Sequence, residues 1–86
     1  MDFEELEEQL EDYCEEWCEY HNVIKDERNT RRFINTAIET VENYVSGYDY
    51  ELDEAYEEYR NSDIDMDLDY YFITNRNDDN EIHRDV

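Results

Sequence analysis

Apolar residues recur every three or four positions through the first 21 residues of the chain. The apolar stripe consists of Phe3, Leu6, Leu10, Tyr13, Cys14, Trp17, Cys18 and His21. This spacing predicts an amphipathic helix over residues 2–21, because positions three and four apart lie on one face of a helix. Asp2 is a suitable N-cap, and Glu5 follows at the capping-box position.

Two further helices are predicted in the middle of the chain. The second helix has a wide apolar face over residues 31–46, with Thr30 as its N-cap. Its apolar face contains Phe33, Ile34, Ala37, Ile38, Val41, Tyr44 and Val45. Gly47, the only glycine, follows where a helix C-cap favours a residue that tolerates positive φ. A third, shorter helix is predicted over residues 49–60. Its buried face contains Leu52, Ala55, Tyr56 and Tyr59.

After Ser62 the period of the hydrophobic pattern changes from 3.6 to 2. Ile64, Met66, Leu68, Tyr70 and Phe72 alternate with Asp63, Asp65, Asp67, Asp69 and Tyr71. This alternation predicts a β-strand with one buried face and one solvated face. Residues 75–80 are predicted as a turn and residues 81–86 as a short second strand. The predicted fold is therefore α+β and mostly helical, a single small acidic domain over residues 1–86 with three helices followed by an acidic strand or a short β-hairpin.

The charge of the chain is strongly unbalanced. It contains 28 Asp and Glu but only 7 Lys and Arg, for a formal net charge of −21. Self-repulsion destabilises a compact state, so a folded chain that keeps this charge is expected to use it. Intrinsic disorder is a poor explanation, because the chain has nine Tyr, three Phe, one Trp and no Pro. We interpret the sequence as one in which positive charge is kept off a folded surface.

The carboxylates expected to contact a partner lie on the outer faces of the first and third helices and on the solvated face of the strand. They are Glu4, Glu5, Glu8, Glu11, Asp12, Glu15, Glu16, Glu19, Asp53, Glu54, Glu57, Glu58, Asp63, Asp65, Asp67 and Asp69. Side chains two apart on a strand are separated by about 6.5 to 7 Å. Neighbouring phosphates along a nucleic-acid strand are separated by about 6 to 7 Å. The four strand aspartates are therefore interpreted as substitutes for consecutive phosphates. The alternative is a solvated face that prevents edge-to-edge aggregation.

The expected partner is a basic protein surface. Nucleic acid and anionic membranes attract Lys and Arg, so this chain is not expected to bind either of them. No apolar run approaches the roughly 20 residues that a membrane helix needs, and residues 1–5 do not resemble a signal peptide. We expect a cytoplasmic protein. Burial is marginal in a chain of 86 residues, so a homodimer is also expected.

Metal binding and catalysis are judged against simpler alternatives. Cys14, Cys18 and His21 stand on one face of the first helix, with His83 as a possible fourth zinc ligand. Familiar zinc sites place two Cys on a tight turn instead, so both cysteines are predicted to pack in the core. The sequence has no phosphate loop, nucleophile elbow or His-Glu metal motif. We expect no enzymatic activity, no cofactor and no metal, with a metal-dependent enzyme or metal buffer as a minor alternative.

Acidic helices and an acidic strand in a small, lysine-poor chain resemble the DNA-mimic proteins that bacteriophages make against host defence. That class includes Ocr-type antirestriction proteins and acidic anti-CRISPR proteins. The segment 32–69 resembles the middle of the Ocr-type chain and contains Ala37-Ile38-Glu39, Tyr44-Val45, Tyr48-Asp49-Tyr50 and Ile64-Asp65. The resemblance implies an acidic decoy that occupies a nucleic-acid-binding groove.

The leading hypothesis is a nucleic-acid-mimicking inhibitor of the anti-restriction or anti-CRISPR type. It would bind the basic groove of a host-defence or DNA-processing protein and block the substrate, in the host cytoplasm if the chain is phage-encoded. The alternative hypothesis is an acidic adaptor or structural module that homodimerises or pairs its strand with a partner.

Overall fold

Four α-helices follow one another along the chain, and the last continues into a short π-helix. The computed structural model describes residues 1–74. Its helices are α1 (Phe3–Tyr20), α2 (Glu27–Tyr48), α3 (Leu52–Ser62) and α4 (Ile64–Leu68), and the π-helix spans Asp69–Thr74. The predicted turn over residues 75–80 and the predicted second strand over residues 81–86 lie outside the described residues.

The helices run up, down and up again. α2 packs against both α1 and α3. The amino group of Met1 lies 3.3 Å from Asp53 Oδ1, which places the start of α1 beside the start of α3. The hydroxyl of Tyr13 lies 3.2 Å from Asp65 Oδ1, which places the second half of α1 beside α4. α1 therefore runs alongside α3 and α4 in the same direction, and α2 runs antiparallel to them.

All four helices and the π-helix contribute to one hydrophobic core. Its buried residues are Leu6, Leu10, Cys14, Trp17, Cys18, Phe33, Ile34, Ala37, Val41, Ala55, Tyr56, Tyr59, Ile64, Leu68 and Phe72. Those from α1, α2 and α3 belong to the apolar faces that the 3.6-residue period predicts. α3 begins three residues later and ends two residues later than the predicted range of 49–60.

The predicted β-strand is wrong, and no strand occurs within residues 1–74. Ile64, Leu68 and Phe72 are buried, whereas Met66 and Tyr70 are 70% and 58% exposed. A period of two contains a period of four, so the alternating pattern also fits a helix in which every second apolar residue faces the core. The fold is therefore all-helical in the described part of the chain, and the α+β prediction is corrected.

Both ends of α2 differ from the prediction. Asp26, rather than Thr30, is the N-cap, and its carboxylate accepts a hydrogen bond from Asn29 N–H at 3.0 Å. Thr30 lies inside the helix, where its hydroxyl donates to the Asp26 carbonyl at 2.7 Å. Gly47 is also inside the helix, and Asp49 takes the left-handed conformation at φ 59°. A short polar side chain tolerates that conformation, so glycine is not required there.

The prediction for α1 is confirmed at both ends. Asp2 accepts a hydrogen bond from Glu5 N–H at 2.9 Å, which satisfies a free donor of the first turn. After the helix ends, Asn22 adopts φ 59° and Val23 N–H donates to the Cys18 carbonyl at 2.8 Å. These features form a Schellman-type C-terminus that turns the chain towards α2.

Candidate partner-binding surface

Most of the carboxylates expected to contact a partner are exposed. Fourteen of the sixteen are exposed, including all eight on α1 and all four on α3. The two exceptions are Asp63 and Asp67, which are half-buried. The acidic surface is therefore formed mainly by α1 and α3.

Eight of the nine exposed carboxylates of α1 form two rows at four-residue spacing, and Glu5 is the ninth. One row consists of Glu4, Glu8, Asp12 and Glu16, and the other of Glu7, Glu11, Glu15 and Glu19. Four residues of an α-helix rise about 6 Å. That rise is similar to the distance of about 6 to 7 Å between neighbouring phosphates. Glu7 is missing from the predicted set, although the four-residue spacing in the sequence is enough to find it.

A second set of exposed carboxylates lies on the helices beside α1. The four-residue pairs on α3 are Asp53 with Glu57 and Glu54 with Glu58. Asp65 on α4 and Asp69 at the start of the π-helix form one more such pair. Since α1 and α3 run in parallel, the two sets of carboxylates extend along neighbouring helices in the same direction.

Few of these carboxylates are neutralised inside the chain. Within residues 1–74, the ion pairs that involve them join Glu11 to Lys25 at 3.7 Å and Asp53 to the amino group of Met1 at 3.3 Å. The Glu11 and Asp53 side chains are 57% and 70% exposed, and ion pairs at such exposure contribute little stability. The acidic surface therefore keeps nearly all of its charge.

The basic residues are concentrated at one end of the molecule. Lys25, Arg28, Arg31 and Arg32 stand around the connection from α1 to α2, and Arg60 is the remaining Lys or Arg within residues 1–74. At the opposite end, where α1 and α3 begin, the described part of the chain has no Lys or Arg. The amino group of Met1 is the positive group there.

Three tyrosine hydroxyls hold the segment that the sequence predicts as a strand. The hydrogen bonds join Tyr44 to Asp63 at 3.4 Å, Tyr13 to Asp65 at 3.2 Å and Tyr59 to Asp67 at 2.7 Å. The tyrosines belong to α2, α1 and α3, so these bonds connect the segment to each of the longer helices. The predicted strand row of four phosphate substitutes does not exist, because Asp63 and Asp67 are half-buried acceptors of internal hydrogen bonds.

The pKa values of two of these tyrosines are raised. Burial raises the pKa of Tyr59, and its hydrogen bond to Asp67 raises that pKa further. Burial also raises the pKa of Tyr13, and the negative charge of Asp65 acts in the same direction. Both hydroxyls therefore remain protonated at neutral pH and are available as donors to the carboxylates.

The candidate zinc ligands of α1 do not point to one site. Cys14 and Cys18 are buried free thiols, which confirms that they pack in the core. Burial raises the pKa of Cys14 to about 12 and also raises the pKa of Cys18. His21 is exposed, and its ring centroid lies 4.1 Å from that of Trp17. Within residues 1–74 no group of three or more His, Cys, Asp and Glu is arranged to hold a metal ion, and His83 lies outside the described residues.

Several aromatic rings are exposed next to the acidic surface. Tyr20, at the end of α1, is 85% exposed, and Tyr48, at the end of α2, is 67% exposed. The ring centroid of Tyr48 lies 5.8 Å from those of both Tyr44 and Tyr50. Aromatic rings in an acidic setting are suited to contacts with the side chains of Arg.

None of the helices described within residues 1–74 has the length and apolar content needed to cross a membrane.

Comparisons with known proteins assign no family to this chain. No protein-family model, no curated protein and no solved structure matches it.

Proposed function

We propose that this protein is a nucleic-acid-mimicking inhibitor, which binds the basic DNA- or RNA-binding groove of another protein and blocks its substrate. The observation that supports the proposal best is the pair of carboxylate rows on α1. The rows contain eight exposed acidic side chains, and within residues 1–74 a single ion pair, from Glu11 to Lys25, involves them. A surface that needed only solubility would mix positive and negative charges.

The dimensions of α1 suit this function. Its 18 residues extend about 27 Å, which is the length of about eight base pairs of duplex. The parallel carboxylates of α3 and α4 widen the acidic surface beyond a single helix. A groove that binds the phosphates of a nucleic acid would meet carboxylates at a similar repeat.

The electrostatics suit rapid capture of a basic partner. Opposite fields steer the encounter of two proteins, so association should be fast and should weaken as salt is added. The resemblance to phage DNA mimics suggests a host-defence or DNA-processing protein as the target. In this proposal the protein acts by occupying the groove, without catalysis and without a cofactor.

Of the two forms of the adaptor hypothesis, homodimerisation and strand pairing with a partner, the second is not supported. Pairing of an acidic strand over residues 63–72 with a partner has no basis, because residues 64–74 are helical and Asp63 is a turn residue. A homodimer remains compatible with the proposal, since a second copy would lengthen the acidic surface. Light scattering tests whether the protein is a dimer, because it gives the mass of the protein in solution.

The test is a pull-down from bacterial lysate with the tagged protein, washed at low and then at moderate salt. We expect one nucleic-acid-binding protein to remain at moderate salt and to be released by excess DNA. Recovery of many basic proteins that all leave at moderate salt would contradict the proposal, because it would show a non-specific polyanion.

Two variants with the same charge separate a specific surface from bulk charge. The first combines Glu8→Gln, Asp12→Asn and Glu16→Gln on α1. The second combines Glu39→Gln, Glu42→Gln and Asp49→Asn, which are exposed acids of α2 and its C-cap. We expect the α1 variant to bind the recovered target at least about tenfold more weakly than the α2 variant, because paired charges at an interface contribute strongly. Equal weakening would contradict a site on α1.

A further inference from the structure

One open cavity of the molecule combines exposed apolar side chains with two exposed carboxylates. It lies between the end of α1, α4 and the start of the π-helix and has a volume of about 530 Å³. The cavity is lined by Trp17, Tyr20, His21, Asp65, Met66 and Asp69. We call it the Trp17 cavity.

The apolar side of the Trp17 cavity is aromatic. The rings of Trp17 and His21 are 4.1 Å apart, and the ring of Tyr20 lies 5.1 Å from that of His21. Tyr20 is 85% exposed and Met66 is 70% exposed, whereas Trp17 is 9% exposed and belongs to the core. Large apolar side chains left this open do not stabilise the core, and a cluster of them is typical of a binding surface.

The polar side of the Trp17 cavity is anionic. Asp65 and Asp69 stand one helical turn apart, and both are exposed. The hydroxyl of Tyr13 donates to Asp65 Oδ1 at 3.2 Å, which fixes one carboxylate before any ligand arrives. Among the described residues, no Lys or Arg lines the cavity. A cation that enters would therefore meet two carboxylates and an aromatic wall.

We propose that the Trp17 cavity receives an arginine side chain from the partner, stacked on the rings of Tyr20 and His21 beside the mostly buried Trp17 and paired with Asp65 and Asp69. The proposal rests on the proposed function, because it names the residue type by which a nucleic-acid-binding groove would be held. Such grooves use Arg to contact phosphates.

The chemistry of the cavity favours arginine over lysine. A guanidinium group is planar, stacks on aromatic faces and donates in two directions to carboxylates. It is also less strongly hydrated than an ammonium group, so burial against rings costs it less. The Lys side chain has a compact, strongly hydrated charge that gains little from the aromatic wall. Carboxylates alone would give a smaller preference for Arg, because they offer no aromatic face on which a guanidinium stacks.

The only tryptophan of the chain lines this cavity and contacts the ring of His21, so its fluorescence is a probe of occupancy. The experiment titrates the full chain with a capped peptide of alternating Gly and Arg, and separately with the same peptide containing Lys. We expect the Arg peptide to change the Trp17 emission and to bind at least about fivefold more tightly than the Lys peptide of equal charge. Equal affinity for the two peptides would overturn the proposal.

A matched pair of double variants tests the location. Tyr20→Ala with Asp69→Asn alters the Trp17 cavity, and Tyr48→Ala with Asp49→Asn makes the same chemical change at the end of α2. All four side chains are exposed, so both variants should keep the helical circular dichroism of the parent. We expect the cavity variant to lose the preference for Arg over Lys and the α2 variant to keep it. Loss in both variants, or in neither, would contradict the assignment.

The two proposals fail in different ways. If the parent recovers a basic target that DNA releases, but shows no preference for the Arg peptide, the cavity proposal is wrong and the mimic proposal is retained. If the parent prefers the Arg peptide through Trp17 but recovers no such target, the cavity is supported and the mimic proposal is wrong.

Discussion

Tyr59 illustrates how a chain this acidic keeps carboxylates inside a helical fold. Its side chain is fully buried, and its hydroxyl donates to Asp67 Oδ2 at 2.7 Å. Asp67 is half-buried, so without this donor its carboxylate would lose part of its hydration with no compensation. Tyrosine suits the role because it adds a large apolar ring to the core and delivers a donor at its far end.

Tyr59→Phe removes this donor and leaves the ring. We expect the free energy of unfolding to fall by about 1 to 3 kcal/mol, because the Asp67 carboxylate is left without its partner. The measurement is urea denaturation followed by circular dichroism. The control is Tyr20→Phe at an exposed position, which should change the stability by less than about 0.5 kcal/mol. A loss of similar size in both variants would contradict the role assigned to the hydroxyl.

Cys14 leads to a prediction about alkaline pH. Burial raises its pKa from an ordinary value of 9.0 to about 12, so the thiol is protonated in the folded state and ionised in the unfolded state between these values. In that pH range the unfolded state binds fewer protons than the folded state, so the free energy of unfolding falls as pH rises. The contribution of the protonated Cys14 thiol to stability is therefore complete below pH 9 and is lost as pH rises towards 12.

The measurement is urea denaturation at a series of pH values from neutral to alkaline. We expect Cys14→Ala to be less stable at neutral pH but to show a smaller alkaline loss than the parent. An unchanged alkaline slope in the variant would show that other groups, such as Tyr59, account for the whole effect.

At the scale of elements, the helices could be predicted where period and capping agree. α1 satisfied both criteria, and its range was found to within a residue or two. The segment from Asp63 to Phe72 could not be predicted, because its apolar residues fit a period of two and a period of four equally well. Contacts with α2 and α3 decide between them, and those contacts are not encoded in the local pattern.

Leu68 and Met66 separate the two interpretations of that segment. On a strand both would share the buried face, whereas in the structure Leu68 is fully buried and Met66 is 70% exposed. We expect Leu68→Ala to destabilise the protein by about 2 to 5 kcal/mol. Met66→Ala should cost less than about 0.5 kcal/mol. Chemical denaturation of both variants is the measurement, and equal losses would favour the strand.

The change in stability caused by a substitution at Gly47 tests where α2 ends. Its φ is not positive, it is exposed, and a Cβ placed on it would meet no atom within 4 Å. Gly47→Ala should therefore stabilise the protein by about 0.5 to 1 kcal/mol, because alanine is the better helix former. Thermal unfolding measures the effect. A loss of stability would contradict the position of Gly47 inside α2.

At the scale of the whole molecule, the acidic surface could be predicted from the sequence but its arrangement could not. The outward positions of the α1 carboxylates follow from the helical period. The proximity of Tyr13 to Asp65, 52 residues later, depends on how the helices pack. The Trp17 cavity was missed for the same reason, because it is formed by residues of α1, α4 and the π-helix.

The net charge of −21 predicts a strong response to salt. Screening shortens the range of repulsion from about 30 Å at 0.01 M ionic strength to below about 8 Å above 0.15 M. We expect the midpoint of thermal unfolding to rise by several degrees when sodium chloride is added over this range. The variant with Glu8→Gln, Asp12→Asn and Glu16→Gln should start higher and respond less. An equal response would show that repulsion along α1 is not the cause.

Within residues 1–74, the concentration of Lys25, Arg28, Arg31 and Arg32 at the junction of α1 and α2 makes the two ends unequal in charge, which gives this part of the molecule an electric dipole moment along its helices. The end where α1 and α3 begin is the negative pole. In the field of a positively charged groove such a dipole experiences a torque, which turns the negative pole towards the groove before contact. The starts of α1 and α3 would therefore lead the approach, and the rows along α1 would make contact afterwards. Exchange of the arginines for neutral residues would reduce this orientation even where those arginines never touch the partner.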